Sequence, residues 1–519
     1  MKRITAISLA VLLLLSALLG LSSCGGNKKI SLNDYYSCLT DFENDKSDWA
    51  KSIRAAADAV KASSTTGNSN LYIPKGVYEI NGMLQIPVGV NLIFEEGAIF
   101  KLGAEATFNM NGRNIIAPKT QIFDVADGAK IMGSGFFSAS VGCPEWFGAK
   151  VNDDIDDSKA INYAVGCFAT VEFSEGTYNV DKNVDLNTES KTHTSLILNG
   201  AGKDKTVLKV SPNVKCFFFD GSKVFYYLIE IRNIGFEEVG GGRTGMAISV
   251  RGSTPNASPK AVITDCSFKG FNTAFDTGNS GFVHFNRNYA ENNEVVCEIG
   301  GGSMFLFYKY NTAVSNGYFI RCDIPPNGGY SNGIDIVENN VSKSEKYDVY
   351  IKDNQAVFID KCKFEGGFGD ASIFLSNVSD FRITDTVITS SPEAPERVAY
   401  YNKNSHSGYI YNCDIKNNGT GLFFDGPRSW RCMTYVNACT FENRDNDIIF
   451  KGTSDAKIVG NQFKTAFAHS SNSDVEIRFS DARVKNILIA ENTFVSKAIE
   501  FGKETGNSTN VEYGNVFNG

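Results

Sequence analysis

Histidine is scarce: only His193, His284, His406 and His469 occur in 519 residues. They share no ligand spacing and no Cys-x-x-Cys pair accompanies them, so the usual makings of a zinc site are missing. There is no cationic excess either. Fifty Lys and Arg stand against 58 Asp and Glu, a net charge of -8 and a pI near 5.3, which argues against a nucleic-acid partner. The apolar run from Ala6 to Leu19 is too short and too early for a membrane-spanning helix. Apolar residues at three-and-four spacing are lacking in the second half. Its segments instead read Val357-Phe-Ile, Asp447-Ile-Ile-Phe and Glu476-Ile-Arg-Phe, broken by Gly, Asn and Asp, and this excludes a helical repeat.

What the second half does contain is one short phrase, repeated. A small polar or thiol residue, or an apolar one in the first copy, falls at Ile234, Cys266, Asn288, Asn311, Asn339, Cys362, Thr386, Cys413, Cys439, Asn461, Asn492 and Asn515. An apolar residue lies three positions earlier in most copies (Ile263, Phe285, Ile336, Ile359), and Phe lies two positions later in six (Phe268, Phe364, Phe441, Phe463, Phe494, Phe517). The mean spacing is roughly 25 residues, the length of one turn made of three short strands and three bends. Such units cannot bury their apolar face until neighbours cover it, so the pattern predicts an all-β parallel solenoid. At the marker, Asn is expected to take the left-handed bend and to bond to the Asn above it. Cys is expected there as a small buried thiol. Cys413 with Cys439, and Cys297 with Cys322, are expected as stacked neighbours without a disulfide, since strand spacing is wide for one.

The front half is duplicated. Asp48 to Val60 reads as an Ala-rich amphipathic helix with Asp48 as N-cap, followed by the strand and turn from Leu71 to Ile80. The same order returns in Asp157 to Val165 and Val171 to Val180. Pro144-Glu-Trp-Phe-Gly-Ala-Lys150, then Asp153-Asp-Ile-Asp-Asp-Ser-Lys-Ala-Ile161, then Phe173-Ser-Glu-Gly-Thr-Tyr178 resembles the entry segment of the pectate-lyase-like superfamily. Asn152, Asp154 and Ser174 replace two Gly and one Pro of the family pattern. The resemblance implies a right-handed parallel β-helix with short N-terminal capping helices, and a partner that is a polysaccharide. Asp156 and Asp157 are read as helix-capping residues, and the helix as a plug over the first rung.

Lys2 and Arg3, the apolar run and Leu21-Ser-Ser-Cys24-Gly25 resemble a bacterial lipoprotein signal. That implies lipidation of Cys24, a membrane partner through the lipid anchor, and an outer-membrane address, because Gly25 stands where a retention Asp would be. The expected divisions are a signal peptide at 1–23, a polar tether at 24–47, a helix-plus-strand module at 48–141 and the β-helix at 142–519.

In this family the catalytic groups project from one parallel sheet beside longer loops. Alternation predicts an outward row of Asp276, Glu298, Arg321, Tyr350 and Lys352, Phe374, Tyr401, Asp425, Lys451, Arg478 and Glu500. The expected loop walls are 323–332, 391–397 and 426–431. In the last, Trp430 between Arg428 and Arg431 is what a sugar platform with carboxylate forks needs, and Tyr350 is a further substrate-binding candidate. Hydrolysis needs two carboxyl groups, for which Asp425 with Glu365 or Asp370 are the candidates. Elimination needs a base and a cation against a uronate carboxylate, and Tyr401, Lys352 and Arg321, or bound calcium, would serve. Asp445-Asn-Asp447 is read as a turn. Two functions remain open: polysaccharide degradation by β-elimination or hydrolysis, and non-catalytic glycan binding or surface adhesion.

Overall fold

The computed structural model describes residues 36–38, 48–63, 69–111, 114–132, 141–187, 195–221, 228–252, 259–323, 331–394, 396–426, 433–452, 454–464, 477–480, 484–495, 499–500 and 511–518. The chain divides into two compact units, Met1–Ser140 and Val141–Gly519.

The second unit is the expected solenoid. Each turn lays down three strands, every one pairing in parallel with its equivalent in the next turn. We number the faces in chain order. Lys260–Thr264 belongs to the first, Ser267–Lys269 to the second and Thr273–Gly278 to the third. Among the described residues the second face contains fourteen strands, one per turn. Strand spacing of about 4.8 Å makes the coil a stack whose interior holds columns of like residues. Phe441, Phe463, Phe494 and Phe517 form one such column, with ring centroids 4.6 to 5.0 Å apart and nearly parallel.

The repeated marker lies at the bend between the first and second faces. Asn288 Oδ1 accepts from the Cys266 amide at 2.9 Å, Asn311 Oδ1 from the Asn288 amide and Asn339 Oδ1 from the Asn311 amide, so each turn is bonded to the next. The left-handed conformation, however, belongs to the residue before the marker. Asp265, Arg287, Tyr310, Glu338, Lys361 and Asn412 have positive φ, and the marker does not. The bend residue turns the chain, and the marker then points inward along the pile. A second, shorter ladder, Asn293 with Asn316 and Asn418 with Asn443, holds the bend between the second and third faces.

Nine described cysteines are buried thiols, among them Cys413 and Cys439, where the Cys413 amide donates to Cys439 Sγ at 3.5 Å. Cys297 and Cys322 are not stacked: Cys297 pairs with Ile320 and Cys322 with Ile351, two residues further along the face. Asp445 to Asp447 is not a simple turn either. Asn446–Lys451 is a strand, and buried Asp447 accepts from the Asn443 side chain at 2.7 Å.

The entry segment places a helix, Ser158–Cys167, against strands of the first turns. Asp156 caps it through the Ser158 amide at 2.9 Å. Asp157 does not cap it. Its two carboxylate oxygens accept from the Lys150 and Asn179 amides, both at 3.1 Å, pinning the entry loop to the first rung. Burial pushes the Asp157 carboxyl up to about 6, against those two amides.

The first unit, expected as a helix-plus-strand module, is itself a short parallel coil. Ser69–Ile73, Val90–Phe94 and Ile115–Ile116 form one face, Gly76–Ile80, Ala98–Leu102 and Phe123–Val125 a second, and Met83–Gln85, Thr107–Asn109 and Lys130–Met132 a third. The Ala50–Ser63 helix buries Ile53, Ala56, Ala57 and Val60, and Asp48 accepts from its Ala50 amide at 3.0 Å. Within the expected tether, Tyr36–Cys38 is a strand that pairs with Ser69–Ile73.

Candidate functional site

The third face of the second unit presents two outward rows. Asp276, Glu298, Arg321, Tyr350, Phe374, Tyr401 and Phe423 are successive partners in one. Two residues further along each strand run Lys352, Ser376, Lys403, Asp425 and Lys451. Sequence alternation therefore placed these residues on one face but merged two rows: Asp425 and Lys451 belong to the second, and Phe423 and Ile449 take their places in the first.

Six rings form a ladder across five turns. Tyr318 stacks on Tyr347 (centroids 5.8 Å, planes 16° apart), Tyr347 meets Tyr350 at 5.0 Å, and Tyr350 stacks on Phe374 at 4.9 Å and 13°. Tyr401 follows edge-on at 5.3 Å, then Phe423 at 4.9 Å. Tyr318 and Tyr347 escape an alternation reading because the strand entrance buries two residues in succession, Phe319 and Ile320 in one turn and Asp348 and Val349 in the next. That displaces the preceding tyrosine onto the outer surface.

Charged groups edge the ladder. Lys352 sits 4.9 Å from the Tyr350 centroid and pairs with Asp323 at 2.9 Å. Burial works against its charge, but Tyr350 and Asp323 outweigh this and hold it above the ordinary lysine range. Lys346 lies over Tyr318. Tyr401 donates to Asp425 at 3.3 Å, and Lys451 approaches the same carboxylate at 3.8 Å. Burial, then the Asp425 charge, raises the Tyr401 phenol, so its neutral form is favoured.

At one end of the first row the rings give way to ion pairs. Arg251 grips buried Asp276 through two nitrogens, each at 2.7 Å, and Ser249 donates to it at 2.8 Å. In the adjacent turn Arg321 donates to Glu298 at 2.6 Å. Burial nevertheless raises the Glu298 carboxyl, helped by the Asp276 charge and opposed by Arg321.

Arg321, Tyr350, Lys352, Tyr401 and Asp425 thus share one face. Glu365 does not join them: it lies on the second face, paired with Lys363 at 2.8 Å. Asp370 precedes the strand that starts at Ala371 and accepts from the Tyr347 hydroxyl at 3.1 Å. Its place is six residues before Ser376, the residue whose row contains Asp425 two turns on. That is about 20 Å along the strand at about 3.3 Å per residue, beyond any hydrolytic pair. The 391–397 segment does not simply wall the groove, because Arg397 turns inward and forms a fully buried ion pair with Asp348 at 3.0 Å. Trp430, Arg428, Arg431, Cys24 and most of the 323–332 loop lie outside the described residues. Among the described residues, no cluster of three or more His, Cys, Asp or Glu is placed to hold a metal ion.

Residues 327–463 match the family model of the right-handed β-helix region. No curated protein sequence matches the chain. Among solved structures the chain is similar to tailspike protein 3 of bacteriophage CBA120, 13% identical over 72% of this chain and 61% of that one, with a TM-score of 0.39. It is similar to the catalytic unit of a thermostable GH87 α-1,3-glucanase from Streptomyces thermodiastaticus strain HF3-3, 12% identical over 73% and 69%, with a TM-score of 0.39. It is also similar to the A-module of the mannuronan C-5 epimerase AlgE6 of Azotobacter vinelandii, 14% identical over 72% and 99%, with a TM-score of 0.33. The chain spans less than two thirds of the tailspike's length.

Proposed function

We propose that the third face binds a polysaccharide lengthwise. The observation that supports this is the ring ladder from Tyr318 to Phe423, with Lys346, Arg321, Lys352 and Lys403 along its edges. Rings repeated turn after turn offer apolar platforms to successive sugars, and the cations suit carboxylates of an acidic chain. Tyr401 and Lys352 are held in their protonated forms, which favours binding over use as an elimination base.

Cleavage is the second reading, and Glu298 favours it. Clamped Asp276 and the burial-raised Glu298 form neighbouring carboxyls in unlike environments, the pattern that separates a proton donor from a charge stabiliser. The test is a panel of acidic and neutral polysaccharides assayed for unsaturated uronate absorbance, for new reducing ends and for binding. Binding without either product supports the first reading. Reducing ends that vanish in Glu298→Gln support the second, and loss of neither binding nor turnover in Tyr350→Ala/Phe374→Ala rejects the ladder as the site. We further infer, from the leader-like segment, that the chain is exported and lipidated at Cys24. Metabolic labelling with a fatty acid, abolished in Cys24→Ala, is the expected result.

A further inference from the structure

The first face has its own ring platform. Phe282 and Phe305 occupy equivalent positions in adjacent turns, with centroids 5.0 Å apart and planes 17° apart, and they are 55% and 47% exposed. Two residues along each strand, His284 stacks on Phe307 at 4.9 Å and 26°.

The backbone sets this pair apart from the other residues of its own register position. Phe282 has φ 61° and Phe305 φ 55°. Five other turns also have positive φ at this register position, but there it is filled by Gly333, Asp380, Ser407, Asp455 and Asn486, small residues that suit or tolerate the left-handed region, while Lys260, Ala356 and Met433 occupy it without positive φ. A bulky side chain in that region is an outlier. These two phenylalanines do not recover the strain by burial, since half of each ring faces water. Strain kept at an exposed position points to a use of the surface it creates. The surroundings say what kind. Lys309 lies 5.2 Å from the Phe307 centroid, and Lys260 and Lys309 are both close enough to His284 to act, after burial, in holding its imidazole below the usual range. The facing carboxylate, Asp335, pairs in register with Phe307; burial raises it and Lys309 opposes.

We propose that Phe282, Phe305, His284 and Phe307 form a second carbohydrate platform, separate from the third-face ladder, that takes a uronate-containing glycan with its apolar ring faces on the phenylalanines and its carboxylates on Lys260 and Lys309. The test is affinity electrophoresis of the full chain through gels containing polygalacturonate, alginate or neutral hydroxyethylcellulose. Phe282→Gly/Phe305→Gly removes the rings and installs a residue at home at positive φ, so the fold should survive with a thermal midpoint equal or higher. The expected result is a retardation by one or both uronate polymers that drops about tenfold in this variant. Lys309→Gln should drop it less and flatten its dependence on salt. In a Tyr350→Ala/Phe374→Ala background the platform should still act, so failure of the ladder reading is told apart from failure of this one. Unchanged retardation by both uronate polymers when the double glycine substitution is made in that background overturns the platform. An equal drop in hydroxyethylcellulose overturns its acidic ligand.

Discussion

Asn311 shows how one side chain can hold two turns. Its Oδ1 accepts from the Asn288 amide, and its Nδ2 donates to the Phe285 carbonyl at 2.8 Å and to Asn339 Oδ1 at 2.9 Å, all buried. Alanine there removes these partners while burial keeps water away, and stability should fall by about 1–3 kcal/mol in denaturant titration. Exposed Tyr310, one residue earlier, carries the bend, and Tyr310→Gly should be neutral or stabilising, because glycine adopts φ 60° freely. At Asp157 the relevant variable is pH. Its folded carboxyl titrates near 6 against an ordinary value of 3.8, so the proton is bound more tightly in the folded state. Its contribution is fully present below the unfolded value and is lost as pH rises through the folded one. The stability deficit of Asp157→Asn relative to the natural chain should therefore be largest near pH 4 and shrink towards pH 7.

Strands of four to six residues gain their meaning from what lies one turn above and below. The twelve markers made the three-faced coil legible because each sits at the same bend, where the Asn side chains have one set of partners to satisfy and the Cys and Ile side chains fit one small buried space, and so have little freedom to vary. The face bearing the ladder was legible too, through alternation. Less legible were rows within it: Asp425 was expected beside Tyr401 in one row, whereas it lies two residues further along the strand and meets Tyr401 through its hydroxyl. Tyr318 and Tyr347 could not be found by alternation at all, since paired buried residues at the strand entrance break the period of two. The coil of the first unit was missed for a different reason. Its strands of two to five residues recur with no repeated polar marker, so nothing in the sequence flags that Phe100, Phe108 and Phe123 pack together. Asp425 and Glu365 do not pair because they occupy different faces of the coil, and residue type alone does not say which of three faces a carboxylate occupies. For the ladder itself, Phe374→Ala should weaken glycan binding about tenfold in calorimetric titration, as the ring lies between Tyr350 and Tyr401 and its loss interrupts both contacts.

At the scale of the whole chain, the longer of the two units offers faces built by turn-to-turn repetition. A face built by repetition should recognise a ligand built by repetition. Five turns separated by about 4.8 Å give the ladder a length of about 20 Å, so affinity should grow with each sugar added until the rings are covered. The most direct measurement is a calorimetric series of oligosaccharides of increasing length, drawn from whichever polymer retards the chain, run on the natural protein and on Tyr350→Ala/Phe374→Ala. Affinity that climbs with length and reaches a plateau only at several sugars, with the climb flattened in the variant, is the expected result. Affinity already complete at a disaccharide, or an identical climb in the variant, would contradict lengthwise binding on the ladder.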